Sequence, residues 1–596
     1  MPVYNAPLRD MKFVMQEVLD IGSLQKYEKF AEADMDTLEA ILEQSAKFSS
    51  EVLMPLNVVG DHEGCTRHAD GSVTTPKGFK EAYKQVVENG MMGLSEPEEF
   101  GGMGMPSIWS TATGEMQSAA NMAFAMYPGL TNGAAKAIKI GGSPEQKATY
   151  LPKMTTGEWT GTMNLTEPHC GTDLGLLKTK AVLQADGSYK ITGQKIFISA
   201  GEHDMSENII HLVLARIEGA PEGVKGISLF IVPKFKLDEN ENPADRNPVS
   251  CGAIEEKMGI HGNATCVMNF DDAEGYLIGE ENKGLRVMFV MMNEARMGVG
   301  MQGLSQSDVA YQNAVIYAND RLQGRSLTGP KNEAGAADPI IVHPDVRRML
   351  METKAFNEGS RALIYWATLL EDLETVHEDE KFREKCDDYL GLLTPVIKGY
   401  ITDKAMTTTI DCQQIFGGHG FIEEWGMSQF VRDTRIALIY EGANGIQALD
   451  LVGRKLARNG GRALMTLNNE IDAFVADNSS NEKTAEFMDG LKTAKNKLTE
   501  ATMWLMQNGM TNPDNAGAGS VDYMHMMGLT SLAYMWAKMA VTAQAAIDAG
   551  SNDDFYSNKL ITGRYFVLRM LPMLDAHLAK IKTGAEPVMA LEAAAF

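Results

Sequence analysis

Positive charge, paired cysteines and long apolar runs are all scarce in this sequence. Lys and Arg total 54 against 79 Asp and Glu, a formal net charge of -25. The averaged field repels phosphate backbones and anionic lipid, which argues against nucleic acid as a partner. The six cysteines, Cys65, Cys170, Cys251, Cys266, Cys386 and Cys412, lie far apart with no Cys-x-x-Cys pair. That spacing excludes the common zinc and redox motifs and predicts reduced packing residues. The first residues, Met1-Pro2-Val3-Tyr4-Asn5-Ala6-Pro7, hold neither an apolar signal core nor an Arg-rich transit pattern, and Ala593-Ala594-Ala595-Phe596 is not a peroxisomal tail. The most apolar stretch, Met524 to Ile547, is broken by Gly528, Lys538 and Gln544, short of the ~20 uninterrupted residues that a span requires. A soluble, cytoplasmic protein is the expectation.

What is present is an ordinary globular composition, 44% apolar and 22% charged over 596 residues, which excludes disorder, collagen-like repeats and a disulfide mini-scaffold. At roughly 100 to 200 residues per domain, the length allows three or four domains and room to bury a cofactor. No short internal repeat is visible. Residues 1–157 read as a helical domain, with Leu38, Ile41, Leu42, Ser45, Phe48 and Val52 at helical spacing. A capping box at Asp36 and Glu39 is predicted to open that helix and Pro55 to close it. Glu99-Phe100-Gly101-Gly102-Met103-Gly104 is too glycine-rich for a helix and predicts a loop.

The texture changes near residue 160. Lys180 to Gln184 and Tyr189 to Ser199 read as strands joined by a turn at Asp186-Gly187, and Ile209 to Arg216, Gly226 to Pro233 and Thr265 to Phe270 follow. Residues 158–283 are therefore expected to be a β domain. Helical texture returns over 284–460, stopped by Asn459-Gly460-Gly461, and a further helical region fills 461–596. That region is predicted to break at Asn512-Pro513-Asp514-Asn515 and again at Gly517-Ala518-Gly519-Ser520. The acidic run Glu371 to Glu380 reads as a solvated helix end.

Three segments could carry chemistry. In Asn164-Leu165-Thr166-Glu167-Pro168-His169-Cys170-Gly171-Thr172-Asp173, hydroxyls, turn amides and glycine could grip a polar ring edge or a pyrophosphate. An ordinary polar loop is the simpler reading. His169 and Cys170 suggest a metal, but adjacent side chains seldom converge on one ion and the sequence offers no third ligand. Tyr440-Glu441-Gly442-Ala443-Asn444 sets a carboxylate at a turn before an apolar-striped helix, where it could equally serve as a cap. Gln413-Gln414-Ile415-Phe416-Gly417-Gly418-His419-Gly420 clusters glycines that permit close backbone approach.

Together and in this order, these segments resemble the acyl-CoA dehydrogenases, flavin enzymes of helical, β-barrel and helical domains in succession. Gly193-Gln194-Lys195-Ile196-Phe197-Ile198-Ser199, Gly142-Ser143-Pro144-Glu145-Gln146-Lys147 and Arg432-Asp433 extend the likeness over most of residues 30–456. Ala6-Pro7-Leu8-Arg9-Asp10-Met11 and the C-terminal region are similar to the longer members of about 600 residues. The implied fold is multidomain α+β, with a helical domain at 1–157, a β-barrel at 158–283, a helical bundle at 284–460 and a C-terminal helical extension at 461–596.

The resemblance implies removal of an α-proton and a β-hydride from an acyl-CoA, giving a trans-2-enoyl-CoA and reduced FAD. Glu441 matches the general base, which has to be strengthened by burial because a proton α to a thioester is only weakly acidic. The Glu441 amide and a flavin ribityl hydroxyl match the donors to the thioester oxygen. Some relatives carry the base just before the arginine matching Arg296. Here that position is Ala295, and Glu294 is about 100° away around a helix. Leu165, Thr166, Gly171, Thr172, Phe197 and Ser199 match flavin contacts, with Phe197 where many relatives have tryptophan and Ser199 where they have threonine. Arg321, Gln414, Gly417 and Gly418 match residues that hold the FAD pyrophosphate and adenosine, in relatives partly across a subunit interface. Thr172, Asn293, Arg296 and Gly442 match substrate contacts, although Arg296 could equally pair with a nearby acid and only hold its helix. The chain departs from the pattern at Gln323, Ala443, Gly445 and Asn293.

The resemblance also implies a homodimer, with electron-transfer flavoprotein as acceptor and no bound metal. The substrate is left open between 3-methylmercaptopropionyl-CoA and a fatty acyl-CoA. An acyl-CoA oxidase, or a nucleic-acid-binding or scaffold relative of the fold, are the alternatives.

Overall fold

The computed structural model describes residues 2–596. The chain divides into two compact units, Gln44–Gly298 and the pair of stretches Met1–Glu43 with Val299–Phe596. Helix α1 is Leu8–Lys12 and α2 is Met35–Phe48. The cap of α2 differs from the sequence expectation: Asp34 accepts the Thr37 amide at 2.8 Å and the Thr37 hydroxyl at 2.7 Å. An Asp one position before the first helical residue reaches the orphan amides of the first turn, which Asp36 inside the helix does not. Pro55 is also not a terminator. A wide turn at Ser49–Leu53 leads into α3 (Met54–Glu63), where Pro55 sits in the first turn and no amide is missed. Helices α4 (Phe79–Glu88), α5 (Ser107–Ala120), α6 (Met122–Gly141) and α7 (Pro144–Thr156) follow. The predicted loop at Glu99–Gly104 separates α4 from α5.

Seven strands form the sheet of this first unit: β1 (Trp159–Asn164), β2 (Lys180–Leu183), β3 (Tyr189–Ser199), β4 (Asn208–Ile217), β5 (Ser228–Pro233), β6 (Val249–Ile254) and β7 (Thr265–Ile278). Their order is β6-β7-β3-β2-β4-β1, and β5 bonds to both β7 and β4, closing a barrel. The Asp186-Gly187 hairpin forms as its turn chemistry demands, with the Asp186 carboxylate accepting from Ser188 and Gly187 at φ +86°. Strand β1 lies parallel to β4. The sequence reading missed it, because a parallel partner leaves no local turn to announce it.

Strand β4 explains why the barrel needs two cores. Its Ile210, Leu212 and Leu214 pack with Ile138, Leu151 and Trp159 on the helical side, while Val213 and Ala215 pack with Ile191, Phe230 and Phe270. A strand buried on both faces reads as a continuous apolar run. Gly284 joins the barrel to α8 (Gly284–Asp320), and a Cβ there would fall 2.4 Å from the backbone of Leu229 and Ser228. Gly284→Ala is expected to destabilise the protein by about 1–3 kcal/mol through overpacking, read as a lower thermal midpoint; an unchanged midpoint would show that the contact yields.

The second unit is helical: α9 (Pro344–Val376), α10 (Glu380–Ile415), α11 (Met427–Ile436), α12 (Asn444–Asp450), α13 (Arg462–Asn478), α14 (Ala485–Thr511), α15 (Pro513–Asp548), α16 (Asp554–Tyr565) and α17 (Met573–Thr583). The acidic run ends α9 and opens α10, with Asp372 as a buried exception. Asn459, Gly460 and Gly461, all at positive φ, make the predicted stop. The break at Asn512 is real, but Gly517-Ala518-Gly519-Ser520 lies inside α15. Gly519 sits on a packed face of that helix, where an added Cβ would meet Leu505 and Ile581 at 3.3–3.6 Å. Met524 to Ile547 also falls within α15, and no helix among the described residues is long and apolar enough to cross a membrane. All six cysteines are free, five of them buried and Cys65 half-buried.

Candidate active site

Strand β1 ends at the buried Asn164, and the chain leaves the sheet as a loop over residues 165–173. Its tip is a tight turn in which Glu167 and Cys170 exchange amide bonds of 2.8 and 3.0 Å. Leu165 and Thr166 are half-buried, while Gly171 and Thr172 are exposed. Behind the loop, Lys195 on β3 donates to the Leu165 carbonyl at 3.0 Å and to Glu167 Oε1 at 2.9 Å. Glu167 also accepts the Thr179 hydroxyl at 2.6 Å and the Lys178 and Thr179 amides at 2.8 and 3.0 Å. Burial alone would raise this carboxyl, yet the Lys195 charge and these donors hold it below the ordinary glutamate range.

The third ligand that the sequence did not reveal is Glu167, whose carboxylate, His169 and Cys170 offer ligand atoms within 4.8 Å of one another. Lys195 already supplies the cation at Glu167, and His169 Nε2 is engaged with the Leu176 carbonyl at 2.9 Å.

Phe197 and Ser199 lie on β3 beside the same loop, which is tied to the strand by the Ile196 amide bonding to the Thr166 carbonyl at 2.9 Å. Opposite Val267 of β7 the register slips by one residue, a bulge that turns Phe197 to φ +59° and leaves its ring 60% exposed. A non-glycine residue held there is strained, and bulges of this kind re-aim side chains at functional sites. The expected flavin contacts 165, 166, 171, 172, 197 and 199 are thus brought together. Asn293 and Arg296 form a separate pair on α8, the buried guanidinium donating to Asn293 Oδ1 at 3.3 Å. Glu294 is committed elsewhere, in an ion pair with Lys136 at 3.0 Å.

In the second unit, Tyr317 near the end of α8 stacks on Phe416 at 4.2 Å, and its hydroxyl bonds to His419 Nδ1 at 2.7 Å. Arg321 lies one turn beyond Tyr317, and Gln414, Gly417 and Gly418 flank Phe416 along the chain; all four are exposed. Gly417 has φ +57°, and Gln413 braces the turn through the Gly420 carbonyl at 2.8 Å.

Glu441 is half-buried at φ +57°, followed by Gly442 at φ +88°. It is not the cap of α12: the N-cap is Ala443, and no side chain caps that helix. The turn is held instead from the helix itself, because the buried Gln447 amide donates to the Glu441 and Gly442 carbonyls at 3.2 and 3.3 Å. Asn444 anchors the turn to α10, donating to Gly399 O, Thr402 Oγ1 and Asp403 Oδ1 at 2.7–3.1 Å and accepting from the buried Lys398 at 2.7 Å. Tyr440 is fixed by its hydroxyl bond to Gln302. Gln302, Lys398, Asp403 and Gln447 were not foreseen from the sequence; only the side-chain amides of Asn444 and Gln447 hinted at such bracing.

Four family models cover the chain: acyl-CoA dehydrogenase N-terminal domain at residues 35–158, middle domain at 162–273 and C-terminal domain at 282–456, with an acetyl-CoA dehydrogenase C-terminal-like domain at 467–592. The 3-methylmercaptopropionyl-CoA dehydrogenase of Ruegeria pomeroyi is 42% identical, with 98% of this chain and 99% of that protein aligned. The broad-specificity linear acyl-CoA dehydrogenase FadE5 of Mycobacterium tuberculosis is 35% identical over the full length of both chains. A crystal structure of an acyl-CoA dehydrogenase complexed with FAD from Bacillus anthracis superposes with a TM-score of 0.75 at 23% identity, covering 93% of this chain and 89% of that one. That last likeness is one of fold.

Proposed function

The chain belongs to the acyl-CoA dehydrogenase family, and from that premise we propose which residues do the work. The reaction is FAD-dependent α,β-dehydrogenation of an acyl-CoA thioester to the trans-2-enoyl-CoA. Glu441 is the base, and the observation that carries this assignment is its turn: a strained carboxylate-bearing residue braced by Gln447 and Asn444, while the other acid considered, Glu294, is paired to Lys136. The Glu441 carboxylate takes the α-proton, and its amide N–H donates to the thioester oxygen as negative charge develops there. Arg296 and Asn293 receive the CoA arm, with Thr172 and Gly442 lining the acyl thioester.

The donor set of the 165–173 loop fits a flavin. The amides of Thr166, Gly171 and Thr172 make no hydrogen bond among the described residues, and the exposed Phe197 ring offers a stacking surface. Leu165, Thr166, Gly171, Thr172, Phe197 and Ser199 would hold the ring end, and Arg321, Gln414, Gly417 and Gly418 the pyrophosphate and adenosine. When bound, FAD supplies the acceptor for the β-hydride.

The four-part division at about residues 157, 283 and 460 belongs to this reading, as do a cytoplasmic location and electron-transfer flavoprotein as acceptor. A homodimer is supported by apolar side chains exposed around the Gly417-Gly418 turn, among them Ile316, Leu322, Phe421, Ile422 and Trp425. 3-Methylmercaptopropionyl-CoA is the proposed substrate, on the strength of the 42% identical relative. The test is a rate series over C4 to C16 acyl-CoAs and 3-methylmercaptopropionyl-CoA with an artificial acceptor, run on protein whose mass in solution is measured. Anaerobic bleaching of the yellow protein and a maximum at the sulfur-containing thioester are expected. A maximum at a longer chain would overturn the substrate, a monomer the dimer, and stoichiometric peroxide would assign an oxidase instead.

A further inference from the structure

A lysine with no exposed surface lies behind the 165–173 loop, paired with a glutamate that is 3% exposed. Burying an ammonium and a carboxylate together costs several kcal/mol before their attraction repays it, and an apolar pair of the same volume often serves stability as well or better. Burial indeed pulls Lys195 down to about 8, against the attraction of Glu167. The cost therefore asks what this pair does that two apolar residues could not.

The answer lies in the peptide planes on either side of Thr166. The Leu165 carbonyl accepts from Lys195 Nζ at 3.0 Å, and the Thr166 carbonyl accepts from the Ile196 amide at 2.9 Å. In a trans peptide the C=O and the following N–H point in opposite directions. With its carbonyl drawn inward by Lys195, the Leu165–Thr166 peptide turns the Thr166 N–H outward, where it bonds to nothing among the described residues. Glu167 locks the lysine in place, and its remaining lone pairs are taken by Thr179 and Lys178. Removing the ammonium leaves the Leu165 carbonyl without this donor and lets the Leu165–Thr166 peptide rotate.

We propose that Lys195 and Glu167 are a positioning pair that fixes the Leu165–Thr166 peptide so that the Thr166 amide donates to an acceptor on the pyrimidine edge of the flavin. This rests on the reading above that FAD sits on the 165–173 loop. Neither side chain touches the cofactor; both act through the backbone.

The test uses full-length holoenzyme carrying Lys195→Met together with Glu167→Gln, so that neither charge is left alone in the core. FAD is expected to leave on dilution at least about tenfold faster, equal to about 1.4 kcal/mol of affinity if the association rate is unchanged, with a shifted flavin absorption maximum and a cofactor-free melting point close to that of the unaltered protein. A purely structural pair predicts the reverse, a lower cofactor-free melting point with FAD release and spectrum unchanged, and that result overturns the proposal. Phe197→Ala and Thr172→Ala separate the placement of FAD on the loop from its positioning by the pair. If they loosen FAD and the double variant does not, the loop holds the flavin but the pair does not position it. If all three variants release FAD like the unaltered protein, the placement of FAD on this loop is itself wrong.

Discussion

Glu441→Gln is expected to lower kcat by about 10²- to 10⁴-fold, the usual contribution of a positioned general base, while the protein stays yellow and still binds acyl-CoA. Glutamine keeps the shape of the side chain and loses only the ability to take a proton. The backbone donors of the turn are untouched, since Gln447 and Asn444 hold it through the carbonyls of Glu441 and Gly442 and through α10. An interaction made only as the proton leaves shows up in kcat, with substrate affinity within a few-fold of the unaltered enzyme. Rates within a few-fold of normal would move the base elsewhere. Glu294→Gln is the control, and it should leave kcat within about tenfold because its carboxylate is paired to Lys136.

Arg361→Ala should produce the largest loss of stability. Arg361 is 1% exposed on α9 and binds Asp10 of α1 at 2.5 Å and Asp308 of α8 at 3.4 Å. Lys559 of α16 joins Asp10 to Glu358, the latter at 2.7 Å, and Lys354 completes the cluster. The network ties the first helix of the chain to one near its end. Truncating one partner of a buried pair strands the other, at a cost of about 3–5 kcal/mol, readable from the denaturant midpoint. A loss below about 1 kcal/mol would mean that water already reaches Asp10. The same group predicts acid sensitivity. Burial favours the neutral acid, but Lys559 and Arg361 outweigh it and bring the Asp10 carboxyl from 3.8 down to about 2. A depressed carboxyl contributes stability that is complete above its unfolded value and is lost on acidification. Asp10 should therefore stabilise fully above about pH 4 and lose that contribution, about 2 kcal/mol, as pH falls to 2. Asp10→Asn should flatten this part of the pH–stability curve.

Features set by a few neighbouring residues were legible in advance. The Asp186-Gly187 hairpin, the glycine loop before α5 and the stop at Asn459 to Gly461 each depend on backbone preferences within four or five positions. Where the reading failed, a distant partner had overruled the local signal. Gly517 and Gly519 look like breakers, yet α15 runs through them, and Gly519 lies close to Leu505 and Ile581. Pro55 looks like a terminator, yet the helical path reopens one residue before it. Strand β1 has no turn of its own and exists through its parallel pairing with β4.

The same division holds for the chemistry. Residue order alone determined the family and the succession of helical and β regions, and it singled out Glu441 as the proposed base, because those are carried by short motifs in a fixed sequence. Only tertiary structure decided that Glu294 is neutralised by Lys136, that Glu441 is braced by Gln447 and Asn444, and that Lys195 reaches the carbonyl of Leu165. Glu294 with Lys136, Lys195 with the Leu165 carbonyl and Asn444 with Asp403 of α10 are each brought within about 3 Å by packing between stretches well separated in the chain, and neither member of such a pair carries a local mark of the other.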